Sequence, residues 1–144
     1  MGKKSKKIVL VFSLLMCWFT MSSQTQKDSL ESIWVNTTIS DSLRFNAIKD
    51  YYYKNTYNKP EEVISLTEYH YQLAKEKGSV KQMGSALNER SYAYYIKGDL
   101  NTSTEVLQQS ISLYKKINEP KNLAVIQSNI GSIYSEQKKY LKAF

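Results

Sequence analysis

"ALNERSYAYYIKGDL", Ala86 to Leu100, and "IQSNIGSIYSEQKKY", Ile126 to Tyr140, share few letters but follow one pattern, offset by 40 residues. Ala86 falls on Ile126, Ala93 on Ile133, Tyr94 on Tyr134 and Leu100 on Tyr140. The same offset sets Met83 on Leu123, Leu66 on Val106 and Leu73 on Leu113, and it keeps small or β-branched residues in register at Val63, Ser103 and Ala143. The breaker at Gly78 falls on Asn118. A fixed period of this size marks a repeat architecture. One unit cannot bury its apolar faces alone, so it stacks on a copy of itself and the same positions must be apolar in each.

Within the copies, apolar residues recur every three or four positions, as in Leu107, Ile111 and Tyr114 or Leu123, Ile126, Ile130 and Ile133, which is helical spacing. Ser40 or Asp41 is placed to cap a first helix reaching about Asn55. Pro60, followed by Glu61 and Glu62, opens a second, because proline and carboxylates suit a helix N-terminus. Gly78 stops that helix, and Gly98-Asp99 reads as a stop followed at once by an N-cap. "NEPK" breaks the fourth helix near Asn118, and a sixth helix is expected from about Lys139. Long helices joined by very short turns pack as antiparallel hairpins. The fold class expected is therefore all-α, with hairpins at about 41–78, 79–118 and 119–144, the last incomplete.

"NIGSIYSEQKKYLKAF", Asn129 to Phe144, resembles the first half of a tetratricopeptide repeat through Ile130-Gly131, Tyr134, Tyr140 and Ala143. The middle copy fits at Tyr94, Gly98, Asp99 and Leu100, while Arg90 and Ser91 replace the usual Leu-Gly. The usual period is about 34 residues; the 40 found here is similar to the longer variant in kinesin light chains and bacterial peptide-responsive regulators. The resemblance implies a right-handed solenoid whose first helices line a concave wall that binds a peptide or partner protein. On that wall it places Asn88, Tyr92 and Tyr95 in the second copy and Ser128, Asn129, Ser132 and Ser135 in the third. Few charges are expected there. Tyr94, Tyr114, Tyr134 and Tyr140 are assigned to inter-helix packing, and His70, which aligns with Ser110 of the next copy, to packing at a helix crossing; Tyr51, Tyr52, Tyr53 and Tyr57 have no such assignment and are read only as cover for the first hairpin.

The N-terminus has a different character. Lys3, Lys4, Lys6 and Lys7 precede the apolar run Ile8 to Met21 and the small residues Ser22 and Ser23, the layout of a signal peptide over 1–23, followed by a lead-in at 24–40. The run is shorter than the roughly 20 residues that span a bilayer. Export is expected, with membrane attachment only through an uncleaved signal or a segment after Phe144. Losing those four lysines lowers the formal charge from +7 to +3, and the remaining basic residues are interspersed with acidic ones, which argues against a nucleic-acid partner. Cys17 is the single cysteine and His70 the single histidine, and no glycine pattern forms a phosphate cradle, so no cofactor, metal site or catalytic residue is expected. A non-enzymatic binding module and the sensory front of a longer signalling chain, ending in a kinase or DNA-binding output, are the two readings.

Overall fold

The computed structural model describes residues 27–143, with side chains to residue 138. The signal-peptide expectation and the packing of Tyr140 and Ala143 lie outside the described residues. The described residues are helical: α1 at 27–34, α2 Asp41–Asn55, α3 Pro60–Glu76, α4 Val80–Ile96, α5 Leu100–Lys116 and α6 Pro120–Ala143. None of these helices is long and apolar enough to cross a membrane. The chain forms two compact units, Met1–Ala47 and Ile48–Phe144, with α2 contributing to both.

In the first unit the lead-in carries a helix that its Ser-rich sequence does not announce. Its end is tied down by Arg44, whose Nε donates to the Trp34 carbonyl at 2.8 Å while Nη1 pairs with Asp41 at 3.1 Å. Asn36 Oδ1 closes the turn between the helices by accepting from both the Thr38 amide and its hydroxyl.

The second unit is regular. Helices α3, α4 and α5 are each 17 residues long, and three-residue turns separate them from one another and from α6. Every one of those turns has a left-handed residue at its centre, Gly78 (φ 65°), Gly98 (φ 80°) and Asn118 (φ 51°). The amide of each central residue returns to the carbonyl three back, and the next amide to the carbonyl five back, as in Ser79 to Ala74 and Asp99 to Tyr94. These paired bonds satisfy the carbonyls a helix end would leave orphaned. Ser79 and Asp99 then cap the following helices by accepting from the Gln82 and Thr102 amides.

Contacts fix the helix directions. Ser91 meets Ser103 while Gly84 meets Ser110, so α4 and α5 are antiparallel. At the crossing, the buried hydroxyls of Ser91 and Ser103 each donate to the other's carbonyl at 2.8 Å, which lets two small residues bring the backbones close. Gly84 lies under the Tyr114 ring, where a Cβ would come within 2.8 Å of the ring carbons. Between α4 and α6 the order is parallel: Lys81 reaches Glu119, and Asn88 reaches Asn129. Leu107, Tyr114, Ile126 and Ile133 form the core of this end, with Tyr95, Leu100 and Ile111 packed around them. Arg90, which departs from the motif, bridges back to α3 through Thr67 at 3.0 Å and Glu68 at 2.6 Å.

Three expectations are corrected. No turn occurs near Lys139, because α6 continues to Ala143. The position matching Gly98-Asp99 is Lys138-Lys139, which supplies neither a left-handed residue nor a cap. Tyr134 does not fill inter-helix space, being 53% exposed on the side of α6 that no described helix covers. Tyr51 and Tyr52, in contrast, are buried core residues rather than surface cover.

Candidate functional site

One side of α4 carries a groove made of three adjoining cavities. The first, about 460 Å³, has Tyr57, Tyr92, Tyr95, Asn129 and Ser132 on its walls and Ser91, Ser103 and Ile133 beneath. The second, also about 460 Å³, shares Tyr57, Tyr92 and Asn129 with it and adds Tyr52, Tyr53, Asn88 and Glu89. The third, about 190 Å³, continues from Asn88 and Val125 to Lys49, Lys81 and Asn122. Its walls come from α2 and the turn after it, from α4 and from α6; α5 adds Ser103 and Tyr114.

Aromatic rings dominate the upper groove. Tyr57 meets Tyr92 edge to face with centroids 6.0 Å apart, and their hydroxyls are hydrogen-bonded. Tyr92 stacks on Tyr95 at 6.0 Å, one helical turn along. Desolvation, reinforced by the Tyr57 hydroxyl, pushes the Tyr92 phenol up to about 12, so this ring stays neutral at physiological pH. Asn129 Nδ2 donates to Asn88 Oδ1 at 3.0 Å and clamps α6 to α4 across the groove floor.

Of the seven residues the sequence pointed to, the structure brings five together along this groove: Asn88, Tyr92, Tyr95, Asn129 and Ser132. Ser132 directs its hydroxyl proton to the Ser128 carbonyl of its own helix. Ser128 and Ser135 are exposed and line none of the three cavities.

Three charged residues line the groove, Lys49, Lys81 and Glu89. Glu89 lines the second cavity, and burial lifts its carboxyl above the usual range, with the Asn88 amide and Lys49 pulling partly back. Lys49 lines the third, its ammonium lowered chiefly by burial. Sequence reasoning missed Lys49, Tyr52, Tyr53 and Tyr57. Carrying Asn88, Tyr92 and Tyr95 back by 39 residues lands on Lys49, Tyr53 and Thr56, so the signal lay in the repeat but one residue off the 40-residue register.

Comparison with known proteins found no match among protein-family models, curated proteins or solved structures.

Proposed function

We propose that residues 41–144 build a right-handed tetratricopeptide-like solenoid in an exported, non-enzymatic chain, and that its groove holds an extended segment of a peptide or partner protein. The observation that carries this reading is the origin of the groove walls. They come from alternate helices, α2, α4 and α6, as they would if hairpins stacked in one direction and each presented its first helix inward. The parallel contact of α4 with α6 supports the stacking, since Asn88 meets Asn129 at 41 residues' separation, close to the 40-residue repeat. The lining suits a main chain: amides that donate and accept, and tyrosines that offer apolar area with a polar tip. Export rests on the pattern of residues 1–23.

The test is capture of partners from the exported proteome by the full chain and by a variant combining Asn88→Ala, Tyr92→Ala and Asn129→Ala. The expected result is at least a tenfold loss of affinity for the captured partner, with helicity retained by circular dichroism. A folded triple variant that keeps every partner at unchanged affinity overturns the reading.

A further inference from the structure

The second cavity of the groove is unbalanced in its hydrogen-bonding chemistry. Its side-chain donors are mostly engaged: Thr56 to the Tyr52 carbonyl at 2.8 Å, the Tyr52 hydroxyl with His70 Nδ1 at 3.2 Å, Asn129 Nδ2 to Asn88, and Asn88 Nδ2 to Glu89 at 3.4 Å. Acceptors remain: a Glu89 carboxylate oxygen, the Asn129 carbonyl oxygen and the faces of the tyrosine rings. Glu89 has no ion pair among the described residues. Lys81 is held by Glu119 at 2.8 Å and Arg90 by Glu68, while Lys49 acts on Glu89 only through space.

A partly buried carboxylate without a counter-ion is costly, and a cation that arrives with a ligand relieves it. Aromatic faces add attraction for the same charge, worth about 0.5–2 kcal/mol where water is displaced. At about 460 Å³ the cavity has room for a long side chain together with neighbouring main chain, and it shares walls with the cavities on either side, so the occupant belongs to an extended chain rather than to a small free amine.

We infer that the cavity walled by Glu89, Asn129 and Tyr52, Tyr53, Tyr57 and Tyr92 is a specificity pocket for a basic side chain, lysine or arginine, of the bound peptide. This inference rests on the peptide-binding reading above.

The experiment titrates the full chain with a set of extended peptides identical except at one central position, occupied by Lys, Arg, norleucine or Glu. N-acetyl-lysine methylamide and its norleucine counterpart serve as minimal probes, followed by tyrosine fluorescence. The Lys and Arg peptides are expected to bind at least tenfold tighter than the norleucine peptide, and the Glu peptide weakest. Glu89→Gln, which keeps the side chain's shape, should abolish that preference. Peptides that bind without preferring a basic residue, or a preference that survives Glu89→Gln, overturn the pocket while peptide binding stands. Failure of all peptides together with selective binding of the lysine probe overturns the peptide reading and keeps the cation site. Failure of every probe overturns both.

Discussion

His70 is wholly buried, and both of its ring nitrogens face partners: Nδ1 the Tyr52 hydroxyl at 3.2 Å and Nε2 the Gln82 side-chain oxygen at 3.3 Å. A neutral ring protonated on Nε2 satisfies both contacts, donating to Gln82 and accepting from Tyr52. Burial lowers its pKa from 6.5 to about 4, with the Lys49 charge adding to the effect and the Gln82 bond opposing it. The sign of the linkage follows. Between those values the unfolded chain binds the proton and the folded chain does not, so stability is full above 6.5 and falls as pH drops towards 4. The loss across that window is of order 3 kcal/mol. Glu89, raised by burial, acts in the opposite sense, so the measurement is a comparison: urea unfolding from pH 7.5 to pH 4 on the wild type and on His70→Phe. The wild-type curve is expected to fall more steeply; parallel curves would remove His70 as the cause. The sequence already placed His70 at a helix crossing, because Ser110 stands at the matching position of the next copy. It could not supply the partners, since Tyr52 and Gln82 reach the ring from two other helices.

At the scale of elements, the three turns centred on Gly78, Gly98 and Asn118 set the 20-residue beat of α3, α4 and α5. A Cβ at Gly78 or Gly98 would meet nothing within 4 Å, so any loss on substitution there is backbone strain and not a clash. Gly78→Ala and Gly98→Ala are each expected to lose about 1 kcal/mol, lowering the melting temperature by roughly 4 °C. Asn118→Gly should shift it upwards, since glycine takes the left-handed conformation more readily than asparagine. Thermal unfolding of the three variants checks both directions, and an Asn118→Gly that destabilises contradicts the turn geometry. These turns were legible in the sequence because their chemistry is local. The register of α2 was not, since the turn after it runs from Thr56 to Lys59, four residues where the others have three. The groove's α2 positions Lys49, Tyr53 and Thr56 stand 39 residues before Asn88, Tyr92 and Tyr95, so the 40-residue alignment passes over them. Glu89 was missed for another reason. On one helix it reads as a solvated charge, and only α2 and α6 on either side of α4 make it part of a wall.

Across the Ile48–Phe144 unit, packing is unequal from one helix to the next. Helix α4 is held by α3, α5 and α6, whereas α6 has α5 and α4 on one side and no described helix on the other. Along the apolar line Leu123, Ile126, Ile130, Ile133, Ile126 and Ile133 are only 1% and 3% exposed, because α5 covers them through Leu107 and Tyr114. What α6 leaves open lies off that line, at Val125 and Tyr134. In a stack where each element touches only its neighbours, stability is close to a sum of nearest-neighbour interfaces, so an element with fewer interfaces opens at lower free energy. Native-state amide hydrogen exchange should therefore be graded: slowest in α4 and α5, and faster in α6, above all over 134–138, where no described side chain is buried. Leu107→Ala, which removes a fully buried side chain from the α5 face of this core, costs about 2–5 kcal/mol. It should speed exchange in α5 and α6 by at least tenfold more than in α3. Uniform protection from α3 to α6, accelerated equally everywhere by Leu107→Ala, would mean that the unit opens only as a whole. The nearest-neighbour picture of its repeats would then be wrong.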